Sequence, residues 1–167
     1  EELYDVLVDP NCMHNLAEAS EHQATLCEMR KHCKTWMIEN GDLGLISQYE
    51  LYSRSETVLT PYRLSTDRKE NPIEDLIEVA ELANRPTENN IDDLKRLLNH
   101  EDGTLRRWAA IGLLAAGPIA EAARGVLSAA LGDDAPDVRL TAAEALCQMG
   151  DTEKAIDTIR SLLSFPD

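Results

Sequence analysis

Cations are scarce in this chain. Lys and Arg total 16 against 31 Asp and Glu, a net charge of −15, and none of the stretches 1–50, 51–100 and 101–167 has a basic balance. Proteins that grip nucleic acid neutralise phosphates with clustered Lys and Arg, so that class is excluded, and a grip on a sulfated or phosphorylated polyanion is disfavoured for the same reason. Arg106, Arg107 and Arg124 are the residues from which a local basic pocket could be assembled, against the usual rule that charges solvate a face. No apolar run approaches the length of a bilayer, so no membrane span is expected. No targeting segment is recognisable. The chain opens Glu1-Glu2-Leu3 without Met, in what reads as the middle of a strand, and is expected to be a piece of something longer. The compartment therefore stays unknown from this stretch alone. Aromatic residues make up only 4%, which suits helices packed through Ala and Leu.

Catalytic groupings are also missing. His100 stands alone before a Glu101-Asp102-Gly103 corner and reads as a solvated loop residue. No His accompanies a nucleophile. The acidic pairs Asp92-Asp93, Glu101-Asp102 and Asp133-Asp134 fall at helix beginnings, where they cap free N–H groups and favour the positive end of the helix. Cys12, His14, His22, Cys27, His32 and Cys33 are the one cluster with metal-ligand chemistry, but no close Cys-x-x-Cys knuckle is present for a tetrahedral zinc site. Leu26, Met29, Cys33 and Met37 instead recur as one apolar stripe of a helix, which predicts free thiols buried as small hydrophobes. Cys27 and Cys33 lie about 9 Å apart along such a helix and cannot pair. Cys12 with either of them remains open in an oxidising compartment. No catalytic, cofactor-binding or metal residue is assigned.

What the chain does contain is a helix written twice. Leu105, Arg106, Ala109, Ala110, Leu113 and Gly117 reappear 33 residues later as Val138, Arg139, Ala142, Ala143, Leu146 and Gly150. A weaker copy precedes them, with Leu76, Ala80, Leu94 and Leu98 one period before Ala109, Leu113, Leu127 and Leu131. Repetition at this period, with helical amphipathicity, predicts a stacked solenoid of three helix pairs over roughly 72–164. Ala110, Ile111 and Leu114 make a second side of the helix 104–116 apolar, so it is expected between neighbours, and its small residues allow close approach. Gly117 and Gly150 mark helix ends that want φ > 0, and Pro118 opens the next helix. Ala155, Ile156, Ile159, Leu162 and Leu163 form the last stripe, ending before Pro166.

Asp133-Asp134-Ala135-Pro136-Asp137-Val138-Arg139, followed by Ala142-Ala143 and Ala145-Leu146, resembles the short HEAT-like repeat of the phycobilisome-lyase type. Glu101-Asp102-Gly103-Thr104-Leu105-Arg106 is a looser version. The resemblance implies Asp–Arg bonds that stitch neighbouring repeats together. It implies no activity, because this scaffold serves many functions.

Leu3-Tyr4-Asp5-Val6-Leu7-Val8 is β-prone and Asp9-Pro10-Asn11 is a turn signal. Glu2 to Val6, Asp9-Pro10 and Asn15-Leu16-Ala17, continued by Met29-Arg30, Trp36 and Gly41-Asp42, resemble the closing strand, turn and last helix of the sulfatase family. Cys12 departs from it, standing where the family usually has an acid. The resemblance implies a parent enzyme, periplasmic or secreted, that hydrolyses sulfate esters or N-sulfate groups with a formylglycine beside calcium. None of Cys12, Cys27, Cys33, Cys147 or the serines begins the Cys/Ser-x-Pro-x-Arg motif that formylglycine requires. Ser164-Phe165-Pro166 is the nearest approach and lacks the Arg. This stretch is therefore expected to be inert and to hold no cofactor.

The expected architecture is all-α: residues 1–44 as a strand and helix of a sulfatase C-terminal subdomain, 45–71 as a connector, and 72–167 as HEAT-like helix pairs. Tyr49, Tyr52 and Tyr62 are expected to pin the connector by packing. Two functional classes follow. One is the non-catalytic C-terminal region of a sulfatase, whose repeats pack, oligomerise or dock and whose partner is the rest of the parent enzyme. The other is an independent scaffold that binds a protein partner or a second copy.

Overall fold

The computed structural model describes residues 1–58 and 60–163. All regular structure among them is helical, and the chain divides into two compact units, Glu1–Asn40 and Gly41–Asp167.

In the first unit the expected strand over Leu3–Val8 does not form. Strand backbone needs a partner, and the described residues of this unit offer no second strand. Its polar groups are satisfied locally instead. The Val8 amide donates to the Asp5 carbonyl at 3.1 Å, the Asp5 carboxylate accepts from the Leu7 amide at 3.0 Å, and the Leu16 amide donates to the Leu3 carbonyl at 2.7 Å. The His14 amide closes the next turn on Asp9 at 2.7 Å, which holds the Asp9 carboxyl below its ordinary pKa. Helix α1, Gln23–Asn40, follows a single 3-10 turn.

Only Leu26 of the predicted stripe in α1 is buried. Met29 is 55% exposed, and Cys12, Cys27 and Cys33 are exposed free thiols, with Cys147 half-buried. The expectation of buried thiols is overturned because a 40-residue unit supplies no second helix to cover α1.

The second unit contains α2 (Gln48–Val58), α3 (Pro61–Thr66), α4 (Ile73–Asn84), α5 (Ile91–Leu97) and α6 (Gly103–Ala116). A 3-10 stretch, Gly117–Ala123, leads to α7 (Arg124–Ala130), then α8 (Pro136–Gln148) and α9 (Thr152–Leu163). Helix α6 packs between α4 and α8, while α5 covers α6, and α7 and α9 cover α8. The repeat positions form the core: Leu76, Leu94, Ala109, Leu113, Leu127, Ala142 and Leu146 are all buried to within 1% exposure. In α9, Ala155 is buried, Ile159 and Leu162 half-buried, and Ile156 and Leu163 exposed. The Ser164-Phe165-Pro166 tripeptide lies outside the described residues.

Close approach depends on Gly112. A Cβ there would stand 2.9 Å from the Ala83 Cα and from a Leu94 methyl, so α6 touches α4 nearly backbone to backbone. By length and composition Gly103–Ala130 would suffice to cross a membrane, an exception to the expectation of no such run. Here it breaks at Gly117, with φ at 55°, and contributes Ala109, Ala110, Leu113, Ala120 and Leu127 to the core.

The connector is helical, and its tyrosines do not pin it. Tyr49, Tyr52 and Tyr62 are 43%, 66% and 79% exposed. Ile46 and Leu64 anchor it instead, buried against Leu76, Val79 and Leu105. Burying aliphatic carbons does this without leaving a phenol to satisfy. Asn71, wholly buried before α4, donates its amide to the Gly41 carbonyl at 3.1 Å.

Gly112→Ala should gain about 1 kcal/mol of helix propensity and lose about 1–3 through overpacking, for a net fall in the denaturant midpoint. Leu113→Asp, which places a charge at a fully buried site, should unfold the repeats as one unit; an unchanged melt would remove Leu113 from the core. In the native protein three thiols should react rapidly with a disulfide reagent and Cys147 slowly.

Candidate interaction surface

The corners before α6 and α8 are built alike. Asp102 ends the loop before α6, and its carboxylate accepts from the Thr104 and Leu105 amides at 2.8 and 3.2 Å. Asp133 does the same for the Ala135 amide at 2.9 Å. Each carboxylate then receives an arginine from the preceding layer. Arg106 donates through Nε and Nη2 to Asp133 at 2.7 and 2.8 Å, with its Nη1 on the His100 and Glu101 carbonyls. Arg54, only 9% exposed, donates to both oxygens of Asp102 at 2.9 Å and to Glu50 at 3.0 Å. Arg139 repeats the Arg106 posture, its Nη1 on the Asp133 carbonyl at 2.7 Å.

These bonds settle the electrostatics of the corners. Hydrogen bonding to Asp133 raises the Arg106 pKa. For Arg54, burial opposes the charge, yet Asp102 and Glu50 more than offset it and the pKa is raised. Both side chains of the Arg106–Asp133 pair are at most 15% exposed, so this is a charge-assisted fork in a poorly hydrated site. A hollow of about 360 Å³ beside it is lined by Tyr49, Glu50, Arg54, Glu101, Arg106 and Asp134. Its arginines Arg54 and Arg106 are held by Glu50, Asp102 and Asp133.

The basic pocket that Arg106, Arg107 and Arg124 could have formed is not assembled. Arg106 faces Asp133, Arg107 lies 3.7 Å from Asp137, and Arg124 pairs with Glu121 and Asp151. Asp92 and Asp93 act as first-turn acids of α5 paired with Lys95 and Arg96. His100 is half-buried rather than solvated, because its Nδ1 accepts the Asp102 amide at 3.0 Å. Among the described residues, no three His, Cys, Asp or Glu converge as metal ligands.

The sequence reading missed Arg54. It stands 48 residues from Asp102 and outside the 33-residue register, so nothing local marks it. Also missed was the crossing of residues 45–47 over the start of α6. There the Trp108 indole donates to the Leu45 carbonyl at 2.8 Å, and Ser47 donates to Asp137.

The outward positions of α4, α6 and α8 correspond in the same register. Glu74, Glu78 and Glu81 on α4 match Arg107, Ile111 and Leu114 on α6, then Leu140, Glu144 and Cys147 on α8. Between α6 and α8 this surface holds a hollow of about 270 Å³ lined by Leu114, Pro118, Ala145, Gln148 and Met149, with Glu121 beside it.

Asp133→Ala should cost about 3 kcal/mol, because it strands a poorly hydrated arginine. Asp92→Ala, which removes a surface partner, should stay within about 0.5 kcal/mol. Chemical denaturation of the two variants in parallel checks this.

The HEAT repeat family matches residues 124–152, from the start of α7 to the start of α9. No curated protein matches the chain, nor does any solved structure. The second unit thus carries HEAT-like repeats in an all-helical fold.

Proposed function

We propose that this chain is a non-catalytic helical scaffold that binds a protein partner. The observation that carries the reading is the packed α4–α6–α8 stack, stitched between α6 and α8 by Arg106 and Asp133. It presents one continuous outward face, and the HEAT repeat at 124–152 belongs to a class of module that often mediates protein interactions.

A finer reading makes it the C-terminal region of a sulfatase-like parent. Two observations favour this: the pattern of Glu2–Val6, Asp9-Pro10, Met29-Arg30 and Trp36, and the apolar surface left open on the first unit. There Leu7, Val8 and Trp36 are 93%, 82% and 58% exposed, surface that the body of a larger enzyme would cover. Catalysis and calcium would then belong to the parent.

Photo-crosslinkers placed at Ile111 and Leu140 should trap a specific protein in cell extract, and the Leu113→Asp variant should lose it. Equal capture by that variant would remove the scaffold reading. The 167-residue chain should not hydrolyse 4-nitrophenyl sulfate, and turnover would overturn the non-catalytic assignment. A Cys/Ser-x-Pro-x-Arg motif encoded upstream of Glu1 is required by the sulfatase reading, and its absence would reject it.

A further inference from the structure

The outward face of the α4–α6–α8 layer has one sign of charge over most of its length. Cations occur near the starts of α6 and α8, where Arg106 and Arg107 already face Asp133 and Asp137 and Arg139 is held on its own corner, and at the far end, where Arg124 is held by Glu121, Asp151 and the Met149 carbonyl. Neither 108–123 nor 140–153 contains a Lys or Arg, and α4 contains none at all. Exposed carboxylates remain: Glu74 and Glu78 on α4 and Glu144 on α8, whereas Glu121 beside the hollow is already held by Arg124. Between them lies apolar surface. Ile111 and Leu114 are half-buried, Leu140 is 48% exposed, and Leu114, Pro118 and Met149 line the 270 Å³ hollow. The N-terminal end of the face already carries an added segment, residues 45–47, held through Trp108 and Asp137.

We infer that this face docks an amphipathic helix with basic flanks, seating one large apolar side chain in the hollow between α6 and α8 and its Lys or Arg residues against Glu78 and Glu144. The inference rests on the scaffold reading and names its surface and partner chemistry. Apolar anchors give such a contact its affinity, while the flanking charges select the partner and speed encounter. Salt at physiological strength screens exposed charges beyond about 10 Å, so the selection is made by carboxylates that a docked cation approaches closely. An acidic helix of the same apolar pattern would be repelled by the same groups.

The probes are three labelled synthetic helices: one with a Leu face and Lys flanks, one with Glu flanks, and one with Lys flanks but Ser in place of Leu. Fluorescence anisotropy with the whole chain should show the Leu/Lys helix binding at least about tenfold more tightly than either of the others. Glu78→Lys with Glu144→Lys should weaken it about tenfold, whereas Asp92→Lys with Asp157→Lys, the same charge change on α5 and α9, should leave it within about twofold. All four sites are exposed, and circular dichroism confirms folding. Equal weakening by both pairs, or equal binding of the Ser/Lys helix, would reduce the effect to diffuse charge and overturn the inference. So would failure of the Leu/Lys helix to bind. If a partner crosslinks from Ile111 or Leu140 while that helix fails, the scaffold survives and this partner chemistry falls.

Discussion

Asp133 divides its acceptor capacity among three neighbours. Its carboxylate closes the start of α8 on the Ala135 amide and takes the Arg106 fork, and its carbonyl takes Arg139. Capping, stitching between layers and orientation of the next arginine therefore converge on one residue. A lysine in place of Arg106 would keep the charge but could not present two parallel N–H groups while also holding the His100 and Glu101 carbonyls. Alignment of α6 with α8 is thus fixed by geometry at one end, and apolar packing need only fill what lies between.

That packing is thin in side-chain volume and close in backbone distance. Ala109, Ala110, Ala142, Ala143 and Gly112 are buried where helices meet, so contact is made by main chain and methyl groups, with Leu113, Leu127 and Leu146 as the larger pieces. Cores of this kind leave little room for relaxation, and added bulk is resisted as strongly as a void.

The 33-residue period was readable because it recurs in residues that are buried: Leu105 with Val138, Ala109 with Ala142, Leu113 with Leu146. The corner aspartates were readable because each stands just before a helix start, although they lie 31 residues apart and off that period. Arg54 was not, because the place that Arg106 and Arg139 occupy in their repeats is held by Ile73 in the first, and the cation arrives from α2. Periodicity in α1 said which side would be covered by a neighbour, not that a neighbour exists, and Met29 and Cys33 are exposed accordingly. The β-prone Leu3–Val8 segment failed in the same way. Strand preference is a fit to a pleated, half-covered surface, and the described residues of the first unit provide none. The outward face could not be drawn from sequence either, because it required knowing which side of each helix the α5–α7–α9 layer takes.

Asn71 precedes Asp102 by the same 31 residues that separate Asp102 from Asp133. An aspartate at the first corner could only accept, yet the group it meets there is the Gly41 carbonyl, which also only accepts; the amide resolves the conflict by donating. The change of one side-chain nitrogen therefore gives the array a polarity. Later corners receive an arginine from the layer before them, and the first is turned back onto the main chain, so the pattern has a defined origin from which it is counted.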